Sequence, residues 1–225
     1  MTSKFQLDER ANIGFGDASS YDKFRPSYPP EAVEKLLAHL GLSGVDGARV
    51  VDLASGTGKF TEFGLLAGRP EKFEIVAVEP HQGMRLELEK KELKGVKSVD
   101  GDACNIPLED GWGDALIAAQ KNVNCYRFAT RDALNEIHRV LRPGATFGMI
   151  WNIEDYNSPL EWNASSKWEQ KLKDIICQIA MLKGQKLEDV KKQVFAALKG
   201  EDVERNAAGE VALHARTYFC FTSRV

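Results

Sequence analysis

Ala48-Arg-Val-Val-Asp-Leu-Ala-Ser-Gly-Thr-Gly58 is a short, β-branched apolar run that stops at a pair of glycines. A run of this length ending in Gly-x-Gly predicts a buried strand that turns sharply into a helix. Gly56 and Gly58 carry no Cβ, so the turn can be tight and its backbone can come close to a ligand. Outward from this turn the same rhythm repeats. Upstream, Pro30–Leu40 predicts a helix, with proline in its first turn and glycine just past its end. Downstream, Lys59–Ala67 reads as a helix, Glu74–Glu79 as a second strand, His81–Leu93 as a charged amphipathic helix and Lys97–Asp102 as a weaker strand. Asp114–Gln120 is another buried-type strand. Arg131–Leu141 sets Ala133, Leu134, Ile137, Val140 and Leu141 on one helical face and stops at the breaker Arg142-Pro143-Gly144. Ala145–Trp151 predicts a strand, Pro159–Leu182 and Leu187–Leu198 predict helices, and Ala215–Phe221 is a last strand.

Strands that read as continuous apolar runs, separated by helices, imply a parallel sheet covered on both faces. With right-handed crossovers this is an α/β, Rossmann-like, doubly wound, mostly parallel sheet whose ligands sit at the carboxyl ends of its strands. Three segment ends then share one crevice: Asp52–Gly58, Glu79 and Asp102-Ala103. The length of 225 residues favours one domain at 31–225, preceded by an arm at 1–30. That arm carries Phe15, Tyr21, Phe24 and Tyr28 among Arg25-Pro26 and Pro29-Pro30, a mixture suited to an ordered lid.

Bulk composition removes several classes. A net charge of −3, with no basic stripe, disfavours a nucleic-acid binder, which needs cations against phosphate. The Lys-rich stretches Lys90–Lys94 and Lys191–Lys192 alternate with Glu and apolar residues and read as solvated helix faces. The N-terminus has no signal-peptide core and no run reaches membrane-span length, so no membrane partner is expected. The cysteines Cys104, Cys125, Cys177 and Cys220 are scattered without a Cys-x-x-Cys pair, which predicts reduced thiols and a cytoplasmic protein. The histidines are equally dispersed and no metal site is expected.

Ligand chemistry can be weighed against the turn. A nucleoside triphosphate needs G-x-x-x-x-G-K-[ST], but Phe60 follows Gly58-Lys59 and Leu53 stands at the first glycine position. A dinucleotide wants G-x-G-x-x-G, but Thr61 holds the third position, and Asp52 would repel a pyrophosphate. S-adenosylmethionine carries an ammonium, a sulfonium, a ribose diol and an adenine, and no phosphate. Asp52 can then meet the amino-acid end, Glu79 the ribose hydroxyls and Asp102 the adenine amine.

Val51-Asp-Leu-Ala-Ser-Gly-Thr-Gly-Lys-Phe-Thr61 resembles motif I of the class I S-adenosylmethionine-dependent methyltransferases. Tyr21-Asp-Lys-Phe-Arg-Pro-Ser-Tyr-Pro29, Ala77-Val-Glu-Pro80 with Met84, Gly101-Asp-Ala103, Ile106-Pro107, Glu136-Ile-His-Arg-Val-Leu-Arg-Pro-Gly144 and Ile150-Trp-Asn152 extend the likeness. The arm segment makes it closest to the small-molecule subgroup that includes trans-aconitate methyltransferase-like and fungal methyltransferase type-11 proteins. The resemblance implies methyl transfer to a small-molecule acceptor, with S-adenosylhomocysteine as product. It implies that Asp52, Ala54, Ser55, Gly56, Thr57, Gly58, Glu79, Pro80, Met84, Asp102, Ala103 and Gln120 line the cofactor. Tyr21, Arg25 and Tyr28 would belong to the lid, and Arg127 would face the substrate.

Two segments depart from that subgroup. Where it carries Gln-Ala-Phe-His-Trp-Phe, this chain has Gln120-Lys-Asn-Val-Asn-Cys-Tyr-Arg-Phe128, which sets Tyr126 at the histidine position and Arg127 at the tryptophan position. Tyrosine titrates near 10, so Tyr126 is a weak candidate base, and His138, between Ile137 and Arg139, reads as structural. A carboxylate acceptor would need no base; a hydroxyl, amine or thiol could. Arg25 and Arg127 are candidates to grip a substrate carboxylate through a bidentate fork. The second departure is the C-terminus, where the family ends in a two-stranded hairpin and only Ala215–Phe221 reads as a strand. The sheet edge is then incomplete, rebuilt or covered by a second copy in a homodimer. These departures keep a second reading open, a protein of this fold that binds S-adenosylmethionine or a protein partner without methylating.

Overall fold

Val50 and Val51 are both fully buried, yet they belong to opposite faces of one sheet. The computed structural model describes residues 18, 22, 26–119, 130–176 and 185–225. β1 (Arg49–Leu53), β2 (Glu74–Val78), β3 (Val96–Val99), β4 (Gly113–Ala119), β5 (Leu141–Glu154) and β6 (Ala215–Ser223) form a six-stranded sheet in the order β3-β2-β1-β4-β5-β6. The four pairings from β3 to β5 are parallel, in registers that include Asp52↔Ala77, Val78↔Val99 and Asp52↔Ile117. β6 lies beside β5 at the edge. Gly144 donates its N–H to Arg224 O (3.0 Å), the Arg224 N–H reaches Ala145 O (2.8 Å), and further along the ring of Trp151 stacks on Tyr218. The start of β5 thus meets the end of β6, and the pair runs antiparallel.

The helices cover both faces. On one, Val33, Leu36 and Leu37 of α1 (Pro30–His39) pack with Val50, Ile75, Ala115, Ile117 and Ile150. On the other, Ile137 and Val140 of α3 (Arg131–Val140) pack with Val51, Leu53, Val76, Val78, Leu116 and Ala118. The alternation along each strand is the period-two pleat. Truncating a fully buried leucine such as Leu36 to alanine would cost about 2–5 kcal/mol. α2 (Gln82–Glu89) lies between β2 and β3 in sequence, starts at His81, whose Nδ1 accepts the Met84 N–H (3.2 Å), and buries Met84 and Leu88. α3 starts at Thr130, whose Oγ1 accepts the Ala133 N–H (3.2 Å).

The chain divides into two units, one running through Trp151 and taking in Thr217–Val225, the other Asn152–Arg216. The second unit holds α4 (Lys167–Ile176) and α5 (Gln185–Ala197).

Several expectations are corrected. The segment after the glycine turn widens to a π-helix over Thr61–Leu66, with the Ala67 N–H bonded five residues back to Glu62 O (2.9 Å). Leu134 is exposed, because the buried stripe runs Ala133, Ile137, Val140 and residue 134 sits a hundred degrees off it. β5 begins at Leu141, earlier than the Arg-Pro-Gly breaker suggests. The register steps from Gly113↔Leu141 to Ala115↔Thr146, so Pro143 and Gly144 are absorbed in a bulge. Pro159–Ser166 is not helical. The buried Lys173 ammonium donates to Ser158 Oγ (3.0 Å), Pro159 O (2.5 Å) and Trp162 O, satisfying loop acceptors that a helix would have used. Ser166 then opens α4 in a Ser-x-x-Glu cap, with the Glu169 N–H on Ser166 Oγ (3.3 Å). After those helices one strand is found among the described residues, where the sequence places Ala215–Phe221. Among them, too, no helix is long and apolar enough to cross a membrane.

Candidate active site

β1, β2 and β3 end side by side. The Ser55 N–H bonds Val78 O (3.1 Å) and the Glu79 N–H bonds Val99 O (3.1 Å), so the segments carrying Asp52, Glu79 and Asp102 lie together at the carboxyl ends of the strands. Asp52 is completely buried in β1, and its Oδ2 accepts the Thr61 hydroxyl (2.5 Å), tying the strand to the helix beyond the turn. Glu79 is buried and uses both oxygens: Oε2 accepts the Gly56 N–H (2.9 Å) and Oε1 the His81 N–H (2.9 Å). Each carboxylate oxygen has a second lone pair, so these bonds leave acceptor capacity for a diol. Asp102 is half-buried, and its Oδ1 accepts the Cys104 N–H (2.7 Å) in a tight turn that leaves Oδ2 for another donor.

The turn between β1 and the π-helix holds unusual backbone. Ala54, Gly56 and Gly58 have φ of 54°, 59° and 76°, and for alanine that region is costly. Gly58 also meets α2 closely, since a Cβ there would stand 2.2 Å from Leu88 Cδ1. Met84 is buried with its Sδ over Gly56, 3.5 Å from where a Cβ would lie. Ser55 Oγ is buried without a hydrogen-bond partner among the described residues. Thr57 is buried, Ala54 and Pro80 are half-buried, and Ala103 is packed in the core beside Val78. A hydroxyl in want of a partner and acids in place of cations fit a cationic, phosphate-free nucleoside.

Residues 51–149 match a family model described as a methyltransferase domain. An uncharacterised methyltransferase of Schizosaccharomyces pombe is 35% identical over 144 residues, which are 64% of this chain and 53% of that protein. One from Mycobacterium tuberculosis is 37% identical over 145 residues, 64% of this chain and 54% of its own. Over residues 51–149 the chain is similar to the methyltransferase family. It spans about half the length of the curated relatives it matches. In fold it is similar to a structure described as an S-adenosylmethionine-dependent methyltransferase from Methanococcus maripaludis, with TM-score 0.51, 18% identity, and 96% and 95% of the two chains covered. One from Aquifex aeolicus gives TM-score 0.51 and 18% identity over 98% and 100%.

Gln120, Tyr126, Arg127, Tyr21 and Arg25 lie outside the described residues. Tyr28 is buried edge-on against Phe60, ring centres 5.4 Å apart. His138 is exposed on α3. Cys104 is exposed beside Thr130, and partial desolvation of its thiol pushes its pKa up.

Two clusters escape a reading of the sequence. The first centres on Asp22, whose Oδ1 accepts the Thr57 hydroxyl (2.6 Å) and Lys91 Nζ (3.0 Å) while its carbonyl accepts Lys59 Nζ (2.6 Å). Lys91 also holds Glu62 (2.9 Å), so it is an anchor rather than part of a solvated face. Burial alone would raise the Asp22 pKa, but the bonds from Thr57 and Lys91 and the charges of Lys91 and Lys59 outweigh it and hold the carboxyl below its usual value. Asp22 adjoins Tyr21 in the arm motif, a signal available in the sequence. The second cluster lies within Asn152–Arg216. The fully buried Glu169 accepts the His214 N–H and Nδ1–H at 2.8 Å each, and the Ser166 hydroxyl at 2.6 Å. The bond to Glu169 raises the His214 pKa. Only the Ser-x-x-Glu spacing hinted at this; the partner histidine is 45 residues away.

Proposed function

We propose that this chain binds S-adenosylmethionine at the turn between β1 and the π-helix and transfers its methyl group to a small-molecule acceptor. The observation that supports this best is Glu79, a buried carboxylate whose two oxygens are held by the Gly56 and His81 amides beside the glycine turn. A phosphate ligand would meet an anion there; a ribose diol meets a fixed acceptor. Asp52, through Thr61, fixes the strand end against the helix, and Ser55 offers its hydroxyl to the ligand's polar end. Asp102 would take the adenine amine. When bound, the cofactor supplies a methyl group already activated by its sulfonium. The protein's part is then to hold acceptor and methyl in line and exclude water. The arm at 1–30, fastened at Asp22, acts as the lid that does the excluding, and the acceptor fits the small-molecule subgroup of the arm motif.

Calorimetry with S-adenosylmethionine tests the binding, with micromolar affinity expected for the intact chain and a loss of about tenfold or more in Glu79→Ala. Absence of binding by the intact chain would refute the proposal. Tritium transfer from the labelled cofactor to a metabolite extract tests the reaction; binding without labelling would reduce the function to that of a cofactor-binding protein.

A further inference from the structure

The motif Glu136-Ile-His-Arg-Val-Leu-Arg-Pro-Gly144 is not explained by cofactor contact, because its side chains lie on α3 and at the start of β5. Its two central charges have another task. The segment from Gly101 to Trp112 forms no helix and no ladder strand, so nothing in the sheet fixes it. It folds back tightly at its start: the Asp102 N–H bonds Asn105 O (3.2 Å) and the Asn105 N–H bonds Asp102 O (3.0 Å). A Cβ on Gly101 would stand 2.7 Å from Pro107 Cδ and 2.9 Å from Asn105 O, so only glycine admits this fold-back.

Beyond the fold-back, α3 takes hold. Glu136 Oε1 accepts the Ile106 N–H (2.8 Å), and Arg139 Nη2 donates to Ile106 O (2.9 Å), so both backbone groups of one residue are gripped. Arg139 Nη1 reaches Leu108 O (2.8 Å) and Asp110 Oδ1 (2.7 Å). The fork of Arg139 meets Glu136 bidentately, at 2.8 and 2.7 Å, which fixes the guanidinium plane. Buried Ile106 pins the gripped point to the core.

We infer that Glu136 and Arg139 are positioning residues for the nucleobase end of the cofactor site, holding the Asp102 loop in the one shape that lets Asp102 select a base with an exocyclic amine. The inference rests on the proposed cofactor reading. Neither residue needs to touch the ligand. Their work is to remove, before binding, the conformational freedom that the loop would otherwise lose on binding. Lysine cannot substitute, because a single ammonium lacks the five-donor fork that spans Glu136, Ile106, Leu108 and Asp110.

The test uses S-adenosylhomocysteine and its inosine analogue as probes in calorimetry. The analogue presents a carbonyl where adenine presents an amine, and Asp102 repels it. The intact chain is expected to prefer S-adenosylhomocysteine by about tenfold or more, the worth of one charge-assisted bond. In Arg139→Gln and in the milder Glu136→Gln the preference collapses towards one, with Arg139→Lys in the same direction. Hydrogen exchange of the 103–108 amides in the ligand-free variants rises in parallel. A variant that melts near the parent temperature and keeps the parent preference overturns the positioning role while leaving the cofactor reading intact. An intact chain that binds neither probe overturns both.

Discussion

Glu79 and Gly56 are joined by a single 2.9 Å hydrogen bond, from the glycine N–H to Oε2, that ties the turn after β1 to the end of β2. The other oxygen holds the His81 N–H, and His81 in turn caps α2 through Nδ1. One carboxylate therefore sets the glycine turn, the strand end and the start of the helix that covers them. Arg85 adds to the same corner by donating to Glu79 O (2.7 Å) and Asp100 (2.9 Å).

Glu79→Gln is the sharpest probe of that corner. Glutamine keeps the volume but turns one acceptor into a donor facing either the Gly56 or the His81 N–H. Leaving a buried N–H unmatched costs about 1–3 kcal/mol. The expected result is a lower melting temperature together with a loss of about tenfold or more in S-adenosylhomocysteine affinity. Unchanged melting and affinity in Glu79→Gln would show that the carboxylate does not organise the turn.

Gly58→Ala tests the close approach of α2. The new methyl would stand 2.2 Å from Leu88 Cδ1, in a backbone with φ of 76°. Left-handed strain costs about 1–2 kcal/mol and overpacking about 1–3 kcal/mol. Leu88→Ala alone, at a buried site, should cost about 2–5 kcal/mol. The double variant should be more stable than the sum of the two losses by about 1 kcal/mol, because truncating Leu88 makes room for the methyl. Strict additivity in denaturant titrations would show that the helix simply moves aside.

How far the sequence carried the fold can be seen from these same residues. Val50 and Val51, Ile75 and Val76, and Ala115 through Ala118 are continuous apolar runs, and a parallel sheet with two covered faces is the arrangement that buries both sides of them. The Gly56-Thr-Gly58 turn was legible because glycine spacing reports backbone needs directly. Ala54 was not, since nothing in an alanine announces a positive φ. The sequence pattern puts the start of β5 too late, because Pro143 and Gly144 end a helix in isolation, whereas a bulge lets a strand absorb them. Pro159–Ser166 reads as helix until Lys173 claims its acceptors, a partner found only in three dimensions. Long-range pairs such as Asp22–Lys91 and Glu169–His214 leave no periodic trace, so charge that looks solvated in sequence is in fact committed.

The Asp22 latch carries a pH dependence with a definite sign. Its carboxyl sits below its ordinary value of 3.8 in the folded chain. A depressed acid contributes stability that is fully present above the unfolded pKa and is lost as pH falls through the folded one. Fastening of the arm is therefore constant from neutral pH down to about pH 5 and weakens below about pH 4. Asp22→Asn imposes the acid-side state at neutral pH. Trypsin should then cut after Lys23 about tenfold faster, the equivalent of one charged hydrogen bond. Parent-like cleavage rates in Asp22→Asn would exclude Asp22 as the fastening point.

The Glu169–His214 pair carries the opposite sign. The hydrogen bond from the imidazole to the buried carboxylate raises the His214 pKa, and the nearby charges of Glu204 and Asp155 act in the same direction. A raised base contributes stability that is fully present below the unfolded value, near 6.5, and is lost as pH rises through the folded value. The Asn152–Arg216 unit should thus be held most firmly at mildly acidic pH and loosen toward alkaline pH. The His214 side chain is 42% exposed, so solvent screens the pair and the change is local rather than global. Hydrogen exchange of the Lys167–Ile176 amides between pH 6 and 9, corrected for intrinsic rates, reads it. Glu169→Gln should abolish the pH dependence while the Ser166 cap persists through the remaining oxygen. If the excess exchange at high pH is as large in Glu169→Gln as in the parent chain, the protonated imidazole does not stabilise α4 and the dyad is only a packing contact.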